Sequence, residues 1–252
     1  MSGMTGGGLI RPLTLTVGLL ALWQAAVWVS GAPPYILPGP IAVIEVLVQK
    51  YPTLVRHGAI TASEILMGLA LGTVFGVLSA LVLTAFRPAR RWLMPVLVVS
   101  QALPVFALAP MLTLWLGYGM ASKVAMAVLI IYFPVTSAFH DGLKRTDPGW
   151  LDLARTMGGG RMAVLRRLRL PAALPAFASG LRVAAAVAPI GAVVGEWVGS
   201  SAGLGYLMLH ANARLQISTM FAALLVLAVF SLTLFFVVDR GMRHLVRWQP
   251  EA

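Results

Sequence analysis

Residues 147–171 read DPGWLDLARTMGGGRMAVLRRLRLP, and this stretch decides how the rest of the chain is understood. Asp147-Pro148 is a helix start, with Asp as the N-cap and Pro at the first helical position. Trp150, Leu151, Ala154 and Met157 then form an apolar stripe at helical spacing. Gly158, Gly159 and Gly160 end that helix. A second short helix is expected from Arg161, with Val164, Leu165 and Leu168 apolar and Arg166, Arg167 and Arg169 charged, until Pro171 stops it. From Asp141 to Pro171 the chain is too polar to cross a bilayer and too patterned to be a loose linker, so the spacing predicts a helix–glycine–helix elbow.

Working outward, the elbow is flanked by runs long enough to be membrane spans. No charge occurs in 124–140 before it, and 174–194 after it is apolar apart from Arg182. Further charge-free runs fill 12–44, 65–86, 92–122 and 215–238. A helix crossing the hydrocarbon layer needs about 20 mostly apolar residues, so each run can hold one span. Arg182 is expected to snorkel toward an interface, and Pro189 to kink its helix. Composition agrees: of 252 residues 59% are apolar and 11% charged. Roughly 150 apolar residues exceed what a soluble domain of this length can bury. The expectation is one all-α polytopic membrane domain over 1–252, with about six transmembrane helices. The stretch 13–29 is long for a signal-peptide core and more spans follow, so it reads as the first span and not as a cleaved leader.

The net charge of +11 belongs to topology, not to nucleic acid. If both termini face the cytoplasm, fifteen Lys and Arg side chains gather there, and only Lys50, Arg56, Lys123 and Arg214 remain outside. That positive-inside bias supports an even number of spans. Zero cysteines exclude disulfides, thiolate metal sites and a thiol nucleophile. His57, His140 and His244 show no metal-ligand spacing and read as interfacial side chains. The seven tryptophans fall mostly near span ends, as an aromatic belt requires.

The elbow also carries a resemblance. Permease subunits of binding-protein-dependent ABC importers have a cytoplasmic signature of Glu-Ala-Ala, three residues, Gly, nine residues, then Ile-x-Leu-Pro. Here Asp152-Leu153-Ala154 is followed at that spacing by Gly158 and by Leu168-Arg169-Leu170-Pro171. Asp, Leu and Leu168 depart from the signature letters; the spacing, the glycine and the Leu-Pro match it. Leu37-Pro38-Gly39-Pro40, the segment 104–119 (PVFALAPMLTLWLGYG) and Gly203-Leu204-Gly205-Tyr206 resemble the branch with nitrate, sulfonate, taurine and thiamine-precursor permeases. The segment 195–214 (GEWVGSSAGLGYLMLHANAR) looks most like permeases for hydroxymethylpyrimidine-type precursors.

The resemblance implies a type I importer fold in the cell (inner) membrane, working as a homodimer with a second permease copy. It implies separate ATP-binding cassette ATPase subunits, which bind the ATP and magnesium, and an extracytoplasmic solute-binding protein. The elbow would be the coupling helix that docks on the ATPase, through Trp150, Leu151, Asp152, Ala154, Met157, Gly158, Leu168, Leu170 and Pro171. The chain itself shows no P-loop: none of Lys50, Lys123 and Lys144 follows the required glycines.

Polar residues near a membrane are costly and hence informative. Ser100 and Gln101, beside Pro104, either touch a passing solute or pack helices. Glu196, followed by Trp197, either lines the outer mouth of the path or is an interface carboxylate paired with Arg214. Glu196 is expected to be the only acidic side chain near a span, which argues against an ion-coupled secondary transporter. Gly68, Gly72 and Gly76 form a small-residue stripe for close helix packing, either in a moving interface or within the resting bundle. Residues 199–203 (GSSAG), with His210 nine positions after Ser201, fit Gly-x-Ser-x-Gly and raise an intramembrane serine hydrolase, although its strand-to-helix elbow is missing from an all-helical chain.

Overall fold

The computed structural model describes residues 10–248 and is helical throughout. The helices are α1 Ile10–Ser30, α2 Pro40–Gln49, α3 Tyr51–Ala85, α4 Arg87–Ala102, α5 Val105–Leu116 and α6 Met120–Lys144, followed by α7 Pro148–Thr156, α8 Arg161–Val164, α9 Leu170–Gly199, α10 Leu204–Ala213 and α11 Ile217–Leu245. A π-helical turn, Leu165–Arg169, joins α8 to α9. The two chain ends, expected on the cytoplasmic side, lie outside the described residues.

Small residues bring α3, α6 and α9 together. A Cβ on Gly72 would come within 2.6 Å of Ile131 Cγ2, and one on Gly76 within 2.8 Å of Val135 Cβ. The stripe of Gly68, Gly72 and Gly76 therefore packs α3 on α6 inside one chain. From the other side, Gly180, Gly191 and Gly195 of α9 seat on Pro134, Ala127 and Lys123 of α6. With α6 held between α3 and α9, the buried core is built from Ile65, Ala127, Ile131, Val135 and the alanines of α9. Large apolar side chains elsewhere, such as Leu19, Leu22, Val74 and Val229, stay exposed. In water that would be a liability; for a polytopic membrane protein it is the lipid-facing surface.

Four helical stretches are long and apolar enough to cross a membrane: Tyr51–Ala85, Met120–Lys144, Arg161–Gly199 and Ile217–Leu245. The run 92–122 is not one straight span. It is the bent pair α4–α5, turned by 102°. Pro104 explains this, because it brings no N–H to the ladder and forces the residue before it out of the helical region. The pair would be a fifth crossing, and two shorter apolar helices remain, α1 over Thr14–Ser30 and α2; α1 falls on the run expected to be the first span.

Two further expectations are corrected. Pro171 does not stop the second elbow helix: α8, the π turn and α9 run on as one helix from Arg161 to Gly199. The π turn widens the ladder just before the proline, which makes room for Pro171 inside the continuous helix. Arg182 is not at a helix end but inside α9, and it is held by Asp239 of α11 at 2.7 Å, which also pairs with Arg243. Lys123, near the start of α6, is 3% exposed and donates to the carbonyls of Tyr118 at 2.6 Å and Gly119 at 2.8 Å.

Candidate functional site

The elbow forms as its letters require. Asp147 Oδ1 accepts from the Gly149 N–H at 2.7 Å, capping α7. At the other end Gly158 takes φ +76°, and Gly159 N–H returns to the Ala154 carbonyl at 2.8 Å. The apolar stripe divides. Leu151 and Ala154 are half-buried, while Trp150 and Met157 are 61% and 79% exposed. Leu153 and Met162, not singled out from the sequence, join that exposed edge. Asp152 pairs with Arg155 at 2.9 Å on the surface. Leu168 and Leu170 are half-buried, and Leu170 packs with Leu165 on a small core of Ala80, Phe139, Leu143 and Ala173. Pro171 is exposed. The elbow is thus a short helix with an uncovered apolar edge, bolted to the ends of α6 and α9.

At the opposite end of α9 lies a buried polar cluster. Helix α10 begins with four backbone N–H groups that need acceptors. Gly203 N–H donates to His57 Nδ1 at 2.9 Å, and Leu204 N–H to Thr61 Oγ1 at 2.7 Å. Gly205 and Tyr206 N–H groups donate to Glu196 Oε2 at 2.5 and 3.1 Å. Thr61 in turn donates to Glu196 Oε1 at 2.6 Å. A Cβ on Gly203, whose φ is +113°, would overlap that carboxyl. Glu196 therefore sits buried beneath α10 as a cap, and Arg214 is not among its hydrogen-bond or ion partners.

Glu196 is not the only acidic side chain near a span. Glu64 of α3 is 2% exposed, its carboxyl lies against that of Glu196, and the Lys123 ammonium acts on both. Sequence reading missed it because the charge-free run was taken to begin at Ile65, whereas α3 starts fourteen residues earlier, at Tyr51. A signal was present: His57, Thr61 and Glu64 are spaced by four and three, and so continue the face of Gly68, Gly72 and Gly76. Nor are the histidines all interfacial. His57 caps α10, and His140 is fully buried with Thr84 Oγ1 at 3.0 Å from its Nδ1. Among the described residues no three His, Asp or Glu side chains gather as a metal site needs.

The third locality is the α4–α5 break. Ser100 Oγ lies 2.6 Å from Tyr132 Oη of α6 and donates to the Leu97 carbonyl at 2.7 Å. Gln101 is exposed. Trp197, half-exposed, meets Phe106 of α5 edge-on, with ring centroids 6.4 Å apart. The hydrolase pattern gains no geometry: Ser201 is exposed, and His210 Nδ1 is engaged by the Tyr206 carbonyl at 3.1 Å one turn back.

The elbow and the bundle of apolar spans can now be set beside known families. Residues 72–249 match the family described as binding-protein-dependent transport system inner membrane component. The chain belongs to that family. The permease is 56% identical over 231 residues to a probable ABC transporter permease protein of Haemophilus influenzae, across 92% of this chain and 94% of that one. It is 35% identical over 243 residues to the formylaminopyrimidine transport permease protein of Halalkalibacterium halodurans, across 96% and 97%. With the riboflavin transport system permease protein of Chloroflexus aurantiacus it shares 37% over 240 residues, across 94% and 89%. Among solved structures, a chain of an amino acid ABC transporter has the same fold, with a TM-score of 0.63 at 15% identity over 81% of the permease and 97% of that chain. Permease membership sets aside the ion-coupled transporter and the hydrolase.

Proposed function

We propose that this permease works as a homodimer and moves a thiamine-precursor pyrimidine, delivered by a solute-binding protein, on power supplied by a separate ATPase docked at the elbow. The observation that carries the reading is the uncovered edge of Trp150, Leu153 and Met157 on α7. An amphipathic helix gains affinity by laying such anchors in a partner's groove. The positive-inside pattern puts both chain ends on the same side as the elbow.

The transmission is mechanical. α8, the π turn and α9 form one helix of 39 residues, roughly 58 Å long at helical rise. One end is fixed to the elbow and the other carries Glu196, which holds α10. Closing of two ATPase subunits would draw two elbows together, and the long helices would carry that motion to the α10 ends, opening the path toward the binding protein. Hydrolysis then returns it. The pyrimidine is supported by the alignment with the formylaminopyrimidine permease, which spans 96% of this chain and 97% of that one, together with the likeness of residues 195–214 to hydroxymethylpyrimidine-type permeases.

The test is reconstitution with the ATPase and binding protein in liposomes. Uptake of formylaminopyrimidine that requires internal ATP is expected. Uphill uptake by the permease alone on a proton or sodium gradient would end the reading.

A further inference from the structure

We propose that the groove where α4 runs along α6, at the elbow end of the bundle, binds an anionic phospholipid. Arg90, Arg91 and Lys144 would hold its phosphate, and Pro95, Val98 and Val99 would bed an acyl chain. Such a site is independent of which solute the permease moves.

Two contacts place the groove. Near the end of α3, Thr84 is bonded to His140 of α6, so α4, which starts directly afterwards at Arg87, sets out from the level of Lys144 at the end of α6. At the other end of α4, Ser100 is bonded to Tyr132 in the middle of α6. α4 therefore runs back along α6, from the polar elbow into the apolar depth of the bundle. Here lies an open groove of about 590 Å3, whose walls include Arg90, Arg91, Pro95, Val98 and Val99 of α4 and Lys144 of α6. The charges of Arg90 and Lys144 both reach the buried His140, so the two sides converge.

The walls prescribe the occupant. Among the described residues, none of the three cations has a carboxylate within ion-pair distance. From Arg91 to Val99 the wall rises about 12 Å along the helix, and Val98 and Val99 are 56% and 58% exposed. A ligand with an anionic head at the interface and a hydrocarbon tail satisfies both parts, and basic side chains between membrane helices suit a lipid phosphate. A soluble partner could meet the cations but would leave the valine wall uncovered.

A second copy of the chain has little to offer in return. Of the eight acidic residues in the sequence, Glu64 and Glu196 are buried, Asp152 and Asp239 are paired with arginines, and Asp147 caps α7. Glu45 lies on α2, at the opposite end of α3 from α4, and Glu251 lies outside the described residues. That leaves Asp141, three positions before Lys144, as one carboxylate against three cations in each copy. A two-fold contact of groove on groove would gather cations without enough counter-charge.

The test uses the full-length permease in a neutral detergent, mixed with labelled phosphatidylglycerol or with phosphatidylcholine of the same acyl chains. Phosphatidylglycerol is expected to be retained about tenfold better or more, because three cations meet its net charge, and to raise the melting temperature. Arg90→Gln and Lys144→Gln should each weaken that retention about fivefold. Arg56→Gln, at the opposite end of α3, should leave it unchanged. Val98→Trp obstructs the acyl wall but spares the cations, so it should weaken retention too. Inorganic phosphate in large excess should neither displace the lipid nor raise the melting temperature. Equal retention of the two lipids by the wild-type chain overturns the proposal, and that comparison needs no variant. So does unchanged retention in both glutamine variants, or displacement by inorganic phosphate, which would make the groove a simple anion site. The chain has no cysteine, so Val98→Cys supplies a lone thiol. A disulfide between two copies of that variant in native membranes would show that a second permease covers the groove and would also overturn the proposal; an unreacted thiol is the expected result.

Discussion

Two glycines stand at positive φ at the two ends of the long α8–α9 helix, Gly203 at +113° and Gly158 at +76°, and their surroundings are opposite. A Cβ on Gly203 would run into the Glu196 carboxyl, whereas a Cβ on Gly158 would meet nothing within 4 Å. The first glycine is required by packing as well as by backbone angle; the second by angle alone. The α10 end is thus a closed joint, in which every orphan N–H of the helix is spoken for. The elbow end is an open one, whose apolar edge has no cover in this chain. On the proposed mechanism, the continuous helix between them would carry motion from the open joint toward the closed one.

The sharpest way to break that contrast is to attack the closed joint. Glu196→Ala strips the Gly205 and Tyr206 N–H groups and the Thr61 hydroxyl of their acceptor, and is expected to cost about 3 kcal/mol or more, read as a lowered melting temperature in detergent. Gly203→Ala should fail in the same assay. A wild-type melting curve for Glu196→Ala would show that the joint is not closed.

Next in size is the open joint. Gly158→Val places a β-branched side chain at positive φ, which should distort the elbow and abolish ATPase co-purification without preventing membrane insertion. Normal uptake with bound ATPase would remove the elbow from the mechanism. Trp150→Ala should be milder, weakening ATPase retention by about 2 kcal/mol, or roughly thirtyfold, with no change in melting. If stability falls instead, Trp150 belongs to the bundle and not to a docking edge. At the bottom of the scale, Ser201→Ala touches an exposed hydroxyl and should leave uptake as it was, measured in the same liposomes.

The elbow and the α10 joint differ just as much in how far they could be read in advance. Asp147, Pro148 and the glycine triplet act on their own neighbours within a turn, so their letters suffice to forecast α7. The joint joins side chains 135 to 146 residues apart, and nothing local in Glu196 announces Thr61 or His57. Glu64 was hidden by a rule that helices begin where charge ends; α3 carries Thr61 and Glu64 inward against the bundle, so the rule misplaces its start. Arg182 misled because a partner removes the penalty that makes a lone charge seek the surface. Gln101 and Ser100 were visible as polar letters in an apolar run, but the break beside them depends on Pro104 and on how α5 packs against α6 and α9.

By itself the sequence determined the membrane as solvent, the helical class, the elbow and the family, because these depend on composition, period and spacing along one dimension. Only the tertiary structure decided that Glu196 is a cap under α10, that the glycine stripe packs within one chain, that α8 continues into α9, and that α4–α5 is broken. Those facts depend on which distant group fills an open hydrogen bond or an absent Cβ, and pairing at a distance is settled by packing in three dimensions.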